Sequence, residues 1–467
     1  MPARPLPDGT DPAGPEVRLN STHPTRPPAT DGVLTRAVEN PLVRGGLTLV
    51  AGVLTGNLLG FARVALMAGF LGTQSRADSL AVAMGPLDTL NSVLINSVVF
   101  AFVPMLTARN GADRAALFLK LNRLLVWVFS AATVAVIVCA PWLMRLLAPG
   151  LDPRYFRSSV TILRVLSLST LAAGTGAVHC ALLYTSRRFL PTAFYQAALN
   201  VFTIIGALSL WKFLGVYAFA VGYSAGAWAQ LAIVWFAARR GLDTASAADC
   251  RIHWREILAK PAFFMVYAVG LGLNITFTRA YATHAGPGMA AALDYCMRGV
   301  GVPLAILVTP ISNSLLPEIA RLRSLFRLPE AFRLIDRTTA LAALAAVGAC
   351  AFALVFRQPA IRLLFQRGEF HAESTLLVAA VFLGLGPSLV GWSLMEITSR
   401  SLFALDRPWP PVIAAWIPVT CNVSLTLWLH SSRPQWIGLG ASIGLLTGFV
   451  ALFAMAHTRR GRWLAQG

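Results

Sequence analysis

Charge is scarce in this sequence, and acidic charge scarcer still: 13% of the 467 residues are charged, with 20 Asp and Glu against 39 Lys and Arg. Soluble domains carry about 25% charged residues, so this composition argues against a cytosolic enzyme, a disordered scaffold or a secreted module. There is no GxxxxGK[ST] phosphate loop, which argues against ATP hydrolysis within the chain. HExxH, GxSxG and paired carboxylates in a polar loop are also missing, and the segments between apolar runs are too short for a catalytic domain. No catalytic residue is therefore assigned, and a carrier is expected rather than an enzyme. The six cysteines form no CxxC and no Cys/His cluster, so neither a metal site nor a disulfide frame is expected. Cys139, Cys180, Cys296, Cys350 and Cys421 lie in apolar stretches and read as small packing residues; Cys250 lies in a polar loop.

What is abundant is apolar surface: 56% of the residues are hydrophobic, and the mean hydropathy is +0.64. The useful ruler is then the bilayer, at about 20 residues per spanning helix. Residues 1–43 are rich in Pro and polar residues and read as a disordered cytoplasmic tail. They lack the apolar core of a signal peptide. After them come twelve apolar segments, near 46–71, 79–106, 121–145, 159–184, 191–211, 214–238, 261–283, 289–316, 338–356, 375–399, 409–429 and 436–456. The expected fold class is thus an all-α polytopic membrane protein.

The net charge of +19 would suggest nucleic acid in a soluble protein. Here most of it is a topology signal. With a cytoplasmic N-terminus, the inner segments hold nearly three times as many Lys and Arg as the outer ones. That bias predicts both termini on the cytoplasmic side of a bacterial inner membrane, with membrane lipids as surroundings and no nucleic acid partner.

The chain also repeats itself. GFAR (60–63) returns as TFTR (276–279), FVPML (102–106) as LLPEI (315–319), PWLMRLL (141–147) as PAIRLLF (359–365), and RFLP (188–191) as RPWP (407–410). The repeats keep their order, so two halves are expected: 44–240 and 261–457, six helices each, joined by a cytoplasmic linker at 241–260 and followed by a tail at 458–467. An even helix number makes the repeat parallel, about an axis along the membrane normal. Two six-helix lobes around a central cavity is a transporter architecture.

Charges inside the membrane are expensive, at about 2.5–3.5 kcal/mol each on insertion scales, and are functional suspects. Arg63 and Arg298 lie roughly 13–15 Å deep at the rise of an α-helix, too deep to reach water along the side chain. Arg279 stands where the repeat places Arg63. A cavity lined by Arg63, Arg279 and Arg298 would be cationic and wet, and the planar guanidinium fork suits phosphate. Asp294 precedes Arg298 by one helical turn and is expected to pair with it. Asp88 and Glu396 have no evident local partner, which makes them candidates for the path or for a coupling ion. Arg164 reads as snorkelling, and His179 and His284 as packed or interfacial. Pro86, Pro303, Pro310 and the GLGP at 384–387 interrupt the helices; such breaks are tolerated where neighbours or cavity water satisfy the freed carbonyls.

Four motifs resemble a known family. GNLLGFARVALMAGFLGTQSRADSLAVA (56–83) resembles the first-helix signature of the MurJ (MviN) lipid II flippases, and FAFVPML (100–106) the end of their second helix. YCMRGVGVPLAILVTPISNSLLPEIAR (295–321) resembles their eighth-helix signature, and RLLFQRGEF (362–370) the loop after the ninth. The resemblance covers 44–457 and implies a divergent twelve-helix member of the multidrug/oligosaccharidyl-lipid/polysaccharide exporter superfamily. It implies alternating access around a cationic cavity. The implied substrate is a lipid-linked diphosphate sugar, moved from the inner to the outer leaflet: a peptidoglycan precursor or an exopolysaccharide unit. It implies no cofactor, energy from membrane potential or a monovalent cation, and proteins of cell-envelope glycan synthesis as partners. Carried over residue by residue, it keeps Arg63, Asp78 and Arg298 as substrate-binding. Asn57 stands where the family has an arginine and is expected among the substrate-binding residues by that position. The family's second-helix arginine pair falls near Leu90 and Asn91, and its acidic residues beside the eighth-helix arginine fall at Met297 and Gly301. Two other readings are a cation-coupled exporter of small amphiphiles, using Asp88 or Glu396, and a non-transporting membrane scaffold.

Overall fold

Apolar runs of this length form helices because hydrocarbon offers no hydrogen-bond partner, so each backbone N–H and C=O must be satisfied within its own segment. The computed structural model describes residues 41–109, 111–186, 188–240, 254–429 and 433–465, and among these there is no strand. The helices of the first half are α1 (Pro41–Leu71), α2 (Ser75–Thr107), α3 (Gly111–Leu147), α4 (Pro153–Thr185), α5 (Phe189–Leu214) and α6 (Tyr217–Arg239). The second half holds α7 (Trp254–Ala285), α8 (Met289–Pro303), α9 (Thr309–Ser324), α10 (Leu328–Val355), α11 (Arg357–Phe365), α12 (Ala372–Leu385), α13 (Ser388–Ala404), α14 (Trp409–Leu429) and α15 (Leu439–Ala465). The described residues from Leu47 onward form one compact unit.

Among the described residues, eleven helical stretches are long and apolar enough to cross a membrane, or twelve if the bent pair α12–α13 is counted as one. The protein is an all-α, multi-pass membrane protein. Two interruptions expected from proline are real breaks. α8 and α9 make one stretch, joined by a π-helical turn at Leu304–Val308 between Pro303 and Pro310. Neither proline can donate to the ladder, and the wider turn absorbs the misfit. α12 and α13 bend by 45° at Gly386–Pro387. Pro86, by contrast, sits inside an unbroken α2.

Several boundaries move for one reason. α3 starts at Gly111 and α10 at Leu328, each ten residues before its expected apolar segment. These added turns are charged, so hydropathy misses them, but they are amphipathic and carry Asp113 and Glu330 in the first turn, where the helix dipole favours an acid. They bury Leu117 and Phe118 in one case and Phe332 and Ile335 in the other. Of the expected tail 1–43, residues 1–40 lie outside the described residues, and 41–43 already belong to α1. Of the expected linker, 241–253 lie outside them, and helix begins at Trp254. The segment 458–465, expected as a tail, continues α15.

Packing is dense within each half: α2 against α4, α5 against α6 and α4 against α6 in the first, α14 against α15 and α7 in the second. Small residues bring the helices close. A Cβ on Gly206 of α5 would lie 2.6 Å from the Cα of Gly222 on α6, so neither position tolerates a side chain. Each half also ties its first helix to its fifth with an asparagine. Asn200 Nδ2 of α5 donates to the Gly56 carbonyl of α1 at 3.0 Å, and Asn422 Nδ2 of α14 donates to the Asn274 carbonyl of α7 at 3.1 Å. Between the halves, α2 runs against α7 and α8.

Candidate functional site

The seam between the halves closes at one end. The turn from α1 to α2 packs on the N-terminus of α8 and on the loop from α11 to α12. Asp78, in the first turn of α2 and 4% exposed, accepts the backbone N–H groups of Gly288 (2.6 Å) and Ala291 (2.8 Å). A carboxylate there satisfies donors that the start of α8 leaves free and lies at the positive end of its dipole. Gly288, at φ 82°, supplies the left-handed turn that aims those donors. Tyr295 donates to the Gly72 carbonyl (2.8 Å), Thr73 Oγ1 to Ser374 Oγ (2.7 Å), and the Glu369 N–H to the Gly69 carbonyl (2.8 Å).

Away from this latch a cavity of about 380 Å³ opens between α1, α2, α5, α7, α8 and α13. Arg63, Arg279 and Arg298 line it, with Asp88 and Asp294. Asp88 is the hub. Its Oδ1 accepts the Tyr223 hydroxyl at 2.7 Å, its Oδ2 accepts Arg298 Nη2 at 3.2 Å, and the same Oδ2 forms an ion pair with Arg63 Nη2 at 3.6 Å. One carboxylate of α2 thus bridges an arginine of each half, and the Arg63 guanidinium lies over the Tyr223 ring, 5.6 Å from its centre. Arg63 is 3% exposed, and among the described residues its Nε and Nη1 have no hydrogen-bond partner. The Arg298 side chain is 40% exposed and reaches into the cavity.

Asp294 was expected to pair with Arg298. Instead it accepts Arg279 Nε at 2.6 Å. Arg279 comes within reach because Gly85 of α2 carries no side chain, and the guanidinium lies against that gap. A neighbour one turn away on the same helix loses here to partners presented by α2 and α7, because Arg298 is turned toward α2.

The structure gathers most of the expected residues and separates others. Arg63, Arg279, Arg298, Asn57, Asp88 and Asp294 share the cavity. Asp78 does not line it: its carboxylate accepts the α8 amides and ties α2 to the start of α8. Glu396 does not line it either, and pairs with Arg400 at 2.5 Å on its own helix. Asn91, at the family's arginine position, is buried and donates to Ser169 of α4 at 2.9 Å, so it joins two helices. Met297 and Gly301 line the cavity without charge. Tyr223 and the uncharged polar residues Thr89, Ser92 and Gln196 were missed. The available signal was a polar side chain in the middle of an apolar run. Among the described residues no cluster of three His, Cys, Asp or Glu could hold a metal.

Residues 67–465 match the family model described as "Lipid II flippase MurJ". A probable lipid II flippase MurJ of Rhizobium meliloti (strain 1021) is 30% identical over 449 residues, covering 90% of this chain and 82% of its own length. The lipid II flippase MurJ of Burkholderia cenocepacia is 27% identical over 441 residues, covering 88% and 84%. Among solved structures, a lipid II flippase MurJ in an inward closed conformation superposes with a TM-score of 0.76 at 18% identity, covering 88% of this chain and 87% of its own. An inward-facing MATE family transporter of the MOP superfamily also reaches 0.76, at 12% identity, covering 89% and 98%. At those identities the two superpositions establish the fold, and the family match over most of the sequence establishes the lineage. This chain belongs to the MurJ family.

Proposed function

We propose that this chain is a flippase that carries a lipid-linked diphosphate sugar from the inner to the outer leaflet by alternating access. The observation that carries the reading is the arginine set at the seam: Arg63 and Arg279 from the first helix of each half, and Arg298 from α8, all on one cavity. Guanidinium groups desolvated there gain from a diphosphate what water no longer supplies. Asp88 holds two of them while no headgroup is bound.

The halves 44–240 and 261–457 rock about the seam, with both termini on the cytoplasmic side. In that orientation the Asp78 latch faces outward, and the cavity is entered from the inner leaflet of the bacterial inner membrane, where the enzymes that build the lipid-linked sugar deliver it. A headgroup leaving with negative charge is favoured by an inside-negative potential, at about 2.3 kcal/mol per charge per 100 mV. Membrane potential, with or without a monovalent cation, is therefore the energy source of this reading.

The test is transfer of a labelled lipid-linked sugar across vesicles containing the purified protein. Protein-dependent transfer that quickens with an imposed potential supports the reading; its absence at any potential sinks it. The latch is tested in the same vesicles by Thr73→Cys with Ser374→Cys, whose native hydroxyls are 2.7 Å apart. Oxidation is expected to stop transfer and reduction to restore it. Undiminished transfer by fully cross-linked protein would show that this end never opens.

A further inference from the structure

Asp88 is a carboxylate in a cavity whose expected cargo is an anion. It shares that cavity with Arg63, Arg279 and Arg298 and faces two of the groups that would grip a diphosphate. Charge of the cargo's own sign weakens the hold on it. The position of Asp88 therefore calls for a task other than binding cargo.

The way it is held separates it from the other acid of the cavity. Asp294 accepts Arg279 Nε at 2.6 Å, with both residues in the second half. Asp88 belongs to the first half and meets Arg298 of the second at 3.2 Å and Arg63 of its own at 3.6 Å. Both distances exceed the roughly 2.7–2.9 Å of a strong charge-assisted hydrogen bond. Arg63 keeps Nε and Nη1 without a hydrogen-bond partner among the described residues. Phosphate oxygens, taken two at a time by a guanidinium fork, would use nitrogens that Asp88 leaves idle. The Asp88 side chain is 29% exposed and that of Arg298 40%, so a ligand in the cavity reaches both. Tyr223 fixes the other carboxylate oxygen. Its hydroxyl donates to Oδ1 at 2.7 Å, and Tyr223 is buried on α6 of the same half. One oxygen of Asp88 is thus anchored at home, and the other is lent to the arginines. When a diphosphate takes the arginines, the carboxylate stays beside it.

We infer that Asp88 is a resident substitute for the diphosphate: it pairs Arg63 and Arg298 in the empty carrier, so that the empty cavity can close and return, and it repels the diphosphate once the far side opens. The inference rests on the flippase reading and names the residue that sets its return step. A carrier that moves net cargo crosses back empty. Three arginines and two aspartates line the cavity, a balance of one positive charge. Without Asp88, the empty seam would close on three arginines and Asp294 alone. Arg63 would then be shut in without a counter-charge, and an uncompensated buried charge is strongly unfavourable. The loaded carrier has no such need, because the diphosphate supplies two negative charges of its own. The pair of Asp88 with Arg298 also joins the two halves, as a bound diphosphate between Arg63 and Arg298 would. Asp88 therefore governs the empty return and the release of cargo more than the loaded crossing.

The test separates empty from loaded crossing in vesicles containing the purified full chain. A labelled polyprenyl-diphosphate disaccharide is followed into a leaflet that lacks the compound, where every cycle needs an empty return. It is also followed into a leaflet that already holds an excess of the unlabelled compound, where the carrier comes back loaded. In the parent the two rates are expected to agree within about twofold, because the paired site crosses empty as readily as loaded. Asp88→Asn keeps an oxygen for the Tyr223 hydroxyl and loses the charge. Its exchange is expected to outrun its net transfer by about tenfold, as an unpaired arginine slows the empty return. Its affinity for a short-chain polyprenyl diphosphate, read in detergent from the thermal midpoint against ligand concentration, is expected to rise about tenfold as the like-charge contact goes. Asp88→Glu, which keeps the charge, is expected to restore the parent's ratio. An Asp88→Asn protein with the parent's ratio, at full or at reduced speed, overturns the inference and leaves the flippase reading standing. So does a parent whose own exchange outruns its net transfer tenfold, a result that needs no variant. Absence of transfer by the parent in either arrangement overturns the flippase reading itself.

Discussion

Asp88→Ala is expected to lower the stability of the folded protein by about 3 kcal/mol, the effect of removing one partner from a buried ion pair. Asp88 is the carboxylate that both Arg63 and Arg298 face. The two arginines respond differently to its loss. Arg298, at 40% side-chain exposure, can turn to water in the cavity. Arg63, at 4%, cannot, and among the described residues two of its nitrogens already lack a hydrogen-bond partner. Most of the loss is therefore the stranded Arg63 charge, and removing that charge should undo it. Asp88→Ala combined with Arg63→Met should recover most of the lost stability, giving a large positive coupling in a double-mutant cycle. Thermal midpoints of the four purified proteins measure this directly. If Asp88→Ala melts like the parent, the carboxylate is not what keeps Arg63 in place.

Arg63→Met alone has the opposite signature. Transfer of a lipid-linked sugar should fall by about 100-fold, since truncating one member of a desolvated charge pair costs 2–5 kcal/mol or more in binding. Stability should hold or rise. A long apolar side chain fills similar space, leaves Asp88 its bonds to Arg298 and Tyr223, and abolishes two unsatisfied donors. A residue kept for the fold would lose stability and activity together. One kept for a ligand loses activity and gains stability, the usual trade at a functional site. Transfer in vesicles and melting in detergent, on the same preparation, separate these outcomes. Arg63→Met with full transfer would remove the main support for a headgroup held by arginine.

The sequence by itself determined the solvent, the helices and the suspects. Hydropathy is a property of single residues summed along the chain, so the spans near 46–71 and 409–429 needed no tertiary information. The depth of Arg63 and Arg298 followed from counting at helical rise. The proline breaks at Pro303, Pro310 and Pro387 were also legible, because a missing N–H is a local fact. What hydropathy could not see were the charged first turns of α3 and α10, which are helical because one face is buried against other helices.

Only the tertiary structure decided the partners. Local spacing gave Asp294 to Arg298, but packing gave it to Arg279, fifteen residues away, across a gap left by Gly85. Asp88 looked solitary because its partners lie on α1, α6 and α8. Asp78 looked like a ligand for a headgroup until the fold brought the N-terminus of α8 onto it, 210 residues downstream. Gln196 and Ser92 were ordinary polar residues in apolar helices until two different helices turned them into one cavity. A charge's role depends on what lies within a few ångströms of it, and in a helical membrane protein those neighbours come from helices far apart in the chain. Composition and spacing therefore name the charged groups, and helix packing decides which partners each one meets.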